Sequence, residues 1–101
     1  MKFANKKKVD SLLEKGATLI DLRSPVSFRD GTIEGAKNLP LSNFINSLLK
    51  FDKKTAIILI VDNVDDADLK TVDTYANQLG YEKIWAAEYR QLNDTDTTKR
   101  K

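Results

Sequence analysis

The 101-residue chain contains no cysteine and no histidine. The first absence removes disulfides, thiolate nucleophiles and cysteine-ligated zinc sites. The second removes the usual proton shuttle near neutral pH, and with it any Ser-His-Asp arrangement. A catalyst made from these residues is confined to carboxylates, Lys, Tyr or a hard metal held by carboxylates. Lack of cysteine also leaves the redox compartment unmarked. A large excess of either charge is missing too: 17 Lys and Arg face 15 Asp and Glu, a net charge of +2. That is too little to neutralise a run of phosphates, so nucleic acid is not an expected partner. No stretch approaches the roughly 20 apolar residues of a membrane span. The opening "MKFANKKK" has basic residues without an apolar region behind them. The expectation is a cytoplasmic chain making no membrane contact itself. The run Lys6 to Lys8 reads as a solvated terminus, or as the flank of an anchor in a longer, membrane-tethered protein.

The composition, 41% apolar against 32% charged, is that of a folded soluble protein, and the length suits one compact domain over 1–101. Val9, Leu12 and Leu13 at helical spacing, closed by Gly16, predict a short first helix. Thr18, Leu19 and Ile20 predict a strand that delivers Asp21 and Arg23 at its C-terminal end. Ser24 as N-cap and Pro25 at the first helical position start a brief helix that Gly31 ends. A short edge strand is expected near Ala36 to Leu39. A helix from Leu41 to Phe51 would be capped by Ser42, with Phe44, Ile45, Leu48 and Leu49 on its inner stripe. The apolar run Ala56 to Val61 predicts a central parallel strand covered on both faces. Leu69, Val72, Ala76 and Leu79 predict a helix capped by Asp65 or Asp66 and ended by Gly80. A last strand is expected from Lys83 to Ala86, followed by a polar, frayed tail over 93–101. This alternation predicts an α/β fold, a three-layer arrangement with a parallel central sheet and helices on both faces. In such sheets ligands gather at the strands' carboxyl ends, which puts Asp21 and Arg23 on one rim with the loop after Val61.

The stretch "LIDLRSPVSFRDGTIEGAKNLPL" resembles the rhodanese-like domain. Asp21, Arg23, Phe28, Gly31, Ile33, Gly35, Ala36, Asn38 and Pro40 fall in register with that family's pattern, and Thr32 stands where a histidine is usual. The likeness extends through "AIILIVD" and "YANQLGYEKIW", covering a core of about 8–90. It implies a sulfur-carrying cysteine directly after the strand ending at Val61, cradled by a loop of backbone N–H groups. Here that position is Val61 or Asp62, and no cysteine exists elsewhere to replace it. The closing Gly-Gly and Trp pattern is likewise altered, to Ala87, Glu88 and Leu92.

The loop in question is Val61, Asp62, Asn63, Val64, Asp65, Asp66, Ala67 and Asp68. Four carboxylates in seven residues, with only Lys70 and Arg23 as nearby cations, repel the anion that an N–H cradle would attract. One like-charge contact at 4 Å costs about 4 kcal/mol at a partly buried surface. As a cation loop the spacing is poor. A cation loop wants oxygens at positions 1, 3 and 5; counting from Asp62 puts Val64 at position 3, and counting from Asp66 puts Lys70 at position 5. The plainer use of these aspartates is to cap the following helix and face its positive end. Asp21 and Arg23 have a structural use as well, a bidentate pair that orders the rim. Tyr81 and Trp85 fit a core role, with an aromatic partner patch including Tyr89 as the other possibility.

The resulting expectation is a non-catalytic rhodanese-like module with a binding or regulatory role, no cofactor and no metal. Its acidic rim from Asp62 to Asp68 would receive a basic protein or peptide. The alternatives are a carboxylate- or metal-dependent enzyme using Asp62 and its neighbours, and a cytoplasmic domain of a membrane-anchored protein.

Overall fold

Residues 1–93 are described by a computed structural model. The expected polar tail lies outside the described residues beyond Asn93. In chain order the elements are β1 Lys2–Phe3, α1 Lys6–Glu14, β2 Thr18–Asp21, α2 Pro25–Asp30, β3 Lys37–Asn38, α3 Leu41–Ser47 with a 3₁₀ turn Leu48–Lys50, β4 Ile57–Val61, α4 Ala67–Gln78, β5 Ile84–Glu88 and α5 Tyr89–Leu92. The five strands form one sheet in the order β1-β5-β4-β2-β3, and every neighbouring pair is parallel. This is the expected α/β class.

The apolar run of β4 explains the layers. All its residues are buried, and the strand's period of two sends them to opposite faces. Ile57, Leu59 and Val61 join Phe44, Leu48, Leu69, Val72 and Ala76 from the α3 and α4 side. Ile58 and Ile60 join Val9 and Leu92 from the α1 and α5 side. A strand buried on both faces has no polar alternation to keep, which is why the run reads as continuously apolar.

The caps of three helices follow from their sequences. Asn5 Oδ1 accepts from Lys8 N–H at 2.8 Å to start α1, and Gly16 leaves it at φ +94°, a left-handed conformation glycine adopts without a Cβ clash. Ser24 caps α2 through Ser27 N–H, with Pro25 next. Asp66 caps α4 by accepting from Asp68 N–H at 2.9 Å, so of the two expected candidates Asp66 serves.

Four features differ from the sequence expectation. Residue Pro40, not Ser42, precedes α3, which has no side-chain cap. That helix tightens into the 3₁₀ turn at Leu48, so Leu48 is buried whereas Leu49 is 69% exposed. A tighter winding shifts the facing of the last residues. Strand β1 and helix α5 appear at the two ends, and with them Ala4 and Leu92 are buried outside the expected 8–90 core. Finally, β5 runs to Glu88, two residues past the expected end at Ala86.

Candidate functional site

The carboxyl ends of β2 and β4 are neighbours in register, Asp21 opposite Ile60, and this sets the rim. Asp21 is fully buried. Around its carboxylate, Arg23 Nε donates to Oδ1 at 3.0 Å, Arg23 Nη2 donates to Oδ2 at 2.8 Å, Arg23 N–H donates to Oδ1 at 2.9 Å and the Thr32 hydroxyl donates to Oδ2 at 2.6 Å. Burial alone would push the Asp21 pKa up. These donors outweigh it and hold the carboxyl below its ordinary value. The bond to Asp21 correspondingly holds Arg23 above its own.

Arg23 is locked from several sides. Nη2 also donates to the Gly31 carbonyl at 2.6 Å, the guanidinium lies 4.0 Å from the Tyr89 ring centre, and Nη1 is 3.7 Å from Asp62 Oδ1. Asn38 Nδ2 donates to the carbonyls of Asp21 and Arg23. The expected Asp21–Arg23 pair is therefore present. Thr32, to which the sequence assigned no consequence, is a direct partner of that pair. Its short side chain donates into a carboxylate it cannot be seen to approach from the linear order alone.

The loop after β4 opens onto a small cleft of about 180 Å³, lined by Leu22, Arg23, Ser24, Ser27, Val61, Asp62, Asp66 and Asp68. Val61 packs into the core, and the Asp62 side chain is 70% exposed. Asp65 lies on the loop but not on the cleft wall, and Lys70 faces away along α4 with Thr71, Thr74 and Tyr75. Among the described residues Arg23 is thus the cation that borders the cleft, with its donors to Asp21 and Gly31 already engaged.

Four of the loop's own N–H groups, those of Val64, Asp65, Asp66 and Asp68, are also engaged. Val64 N–H donates to Glu88 Oε2 at 3.1 Å, Asp65 N–H to Asn63 Oδ1 at 2.8 Å, Asp66 N–H to the Asn63 carbonyl at 3.1 Å and Asp68 N–H to Asp66 Oδ1 at 2.9 Å. Internal oxygens occupy donors that an anion would otherwise use. Glu88, noted in the sequence only as an altered closing residue, is the one that reaches in from the neighbouring strand. Its partnership with Val64 follows from the pairing of Val61 with Glu88, which needs the register. Among the described residues no three Asp or Glu converge as a metal-holding group. Tyr81 is core, its hydroxyl donating to the carbonyls of Leu48 and Phe51, whereas Trp85 is half-buried.

A family model described as the rhodanese-like domain matches residues 5–88. Similar solved structures include reduced Bacillus anthracis CoADR-RHD, with TM-score 0.74 and 22% identity over 99% of this chain and 18% of that one. A human single-domain sulfurtransferase gives 0.69 and 22% over 93% of this chain and 96% of that one. A single-domain sulfurtransferase of Saccharomyces cerevisiae gives 0.65 and 17% over 96% and 92%. At these identities the likeness is one of fold. Among curated proteins, tRNA 2-selenouridine synthase of Cronobacter sakazakii is 54% identical over 33 residues, 33% of this chain and 9% of that protein. The chain thus spans under a tenth of that relative.

Proposed function

Because the chain belongs to the rhodanese-like domain family and has no cysteine, we propose that it is a non-catalytic member, a module that binds or regulates. The observation that carries this reading is the filled loop. The family's sulfur chemistry needs a thiolate and a ring of free N–H donors. Of the two positions available for that thiolate, Val61 points into the core and Asp62 carries a carboxylate. The donors at Val64, Asp65, Asp66 and Asp68 are bonded within the molecule. The short likeness to a tRNA-modifying enzyme covers too little of that enzyme to bring its substrate to this chain.

The binding surface in this reading is the exposed acidic rim from Asp62 to Asp68, which suits a basic protein or peptide. The module would work in the cytoplasm, free or as part of a membrane-tethered protein; among the described residues no helix is long and apolar enough to cross a membrane. A metal-assisted reaction at Asp62 has less support, since Asn63 and Asp66 spend side-chain oxygens on the loop.

Two measurements test the proposal. The purified chain should transfer no sulfur from thiosulfate to cyanide above the uncatalysed rate, and measurable turnover refutes the non-catalytic reading. Asp65→Asn with Asp66→Asn should weaken binding of a capped lysine hexapeptide several-fold with unchanged thermal unfolding, because asparagine caps a helix as well as aspartate. Unchanged binding retires the acidic rim.

A further inference from the structure

A second concavity, about 560 Å³, lies beside the loop and shares only Val64 with it. Its lining includes Phe3, Asn5, Lys8, Trp85 and Gln91. Phe3 is 59% exposed, on the strand that ends the sheet among the described residues. The Lys8 ammonium stands 4.9 Å from the Trp85 ring centre and the Lys2 ammonium 5.3 Å. Among the described residues, no ion pair within 4.0 Å includes Lys2 or Lys8. Two like charges therefore flank one indole with no ion-pair partner among the described residues, Lys8 on the groove wall and Lys2 at the neighbouring cavity that Asp73 and Glu82 also line. The acidic residue of the groove, Glu88, does not serve them. Its side chain is 8% exposed, bonded to Val64 N–H and 3.4 Å from Arg90 Nε.

We propose that this groove docks an extended acidic segment of a partner protein. Carboxylates would complete the Lys8 charge and, beside it, the Lys2 charge, an apolar side chain would cover Phe3 and Trp85, and the edge of β1, open among the described residues, suits an extended backbone. The neighbouring aspartates set the direction: acidic residues lie at the α1 end and the apolar residue towards Val64. They also select against long polyanions, since a nucleic acid or an anionic membrane plane reaching Lys8 would meet the Asp62 to Asp68 rim as well. The proposal is independent of the acidic-rim reading, because the loop contributes one apolar residue to the groove.

Trp85 is the chain's single tryptophan, so its emission reports the groove. Titration of the full chain with a capped hexapeptide of three glutamates followed by leucine, serine and leucine should give a saturable change. Lys8→Glu should weaken that binding at least tenfold and keep the fold, since a glutamate three residues after the Asn5 cap completes a capping box. Lys2→Gln should weaken it less. A response that is absent, or equal in Lys8→Glu, overturns the proposal. So does stronger binding of a single-stranded oligonucleotide or of phosphatidylserine vesicles, or emission that changes with protein concentration alone and marks a second copy as the occupant.

Discussion

Asp21 shows what one buried charge demands of its surroundings. A fully buried carboxylate is tolerated when every lone pair meets a donor, and here Arg23 and Thr32 supply them. Asp21→Asn removes the charge that balances Arg23 and should cost about 3–5 kcal/mol, the range for breaking a buried pair. The pH dependence checks the cause. The folded pKa of Asp21 lies below the ordinary value of about 3.9, so its stabilisation is complete well above pH 4 and is lost as pH falls through the folded pKa. Urea unfolding at pH 7 and at successively lower pH should show the gap between wild type and Asp21→Asn narrowing below about pH 4. A constant gap would assign the cost to shape instead. At Thr32, replacement by Val leaves the same volume without the hydroxyl and should cost about 1.5–3 kcal/mol, as for a bond to a charged group. Thr32→Ser should recover most of it. Equal loss in both would place the effect in packing.

At the scale of elements, local chemistry made most of the fold readable. Pro25 after Ser24, Gly16 after Leu13 and the Asp66 cap each mark an end by a backbone requirement that acts within four residues. The misses are elements whose cause is distant. Strand β1 is two residues long and is held by pairing with Trp85 and Ala86, so no alternation exists in "MKF" to announce it. Helix α5 is one turn, fixed by Leu92 reaching the core. The turn at Leu48 is set by Tyr81, whose hydroxyl takes the Leu48 carbonyl from 33 residues away. Site legibility divides the same way. Asp21, Arg23 and the acidic loop could be named from their order, whereas Thr32 and Glu88 needed the fold to bring them in. The α4 cap separates neighbouring aspartates experimentally. Asp66→Ala should lose about 1 kcal/mol, roughly 4–8 °C in Tm for a domain of this size, whereas Asp65→Ala should stay within about 0.5 kcal/mol. Calorimetry giving equal shifts would mean that the loop charge, not the cap, governs α4.

For the whole molecule, the parallel sheet fixes where chemistry has to occur and the rim's electrostatics decide whether it does. Strand β4 is buried along its whole length and ends with Val61 in the core, so Asp62, the first residue past it, stands on the cleft. A nucleophile placed there inherits the loop's field. If the absent cysteine were the one obstacle to sulfur chemistry in the proposed non-catalytic reading, Asp62→Cys would supply it. The structure argues otherwise: Asp66 and Asp68 remain on the cleft wall, and four of the loop's N–H groups stay bonded to Asn63, Asp66 and Glu88. Nearby carboxylates disfavour a thiolate, so the introduced thiol should titrate at or above the ordinary value of about 8.5. Iodoacetamide alkylation across pH should show this, together with no thiosulfate-to-cyanide transfer. Adding Asp68→Ser and Glu88→Gly would remove one wall charge and release Val64 N–H, and should lower the thiol's pKa. A single Asp62→Cys exchange that yields a reactive thiolate at neutral pH would show that the fold's rim, rather than its charges, commands the chemistry.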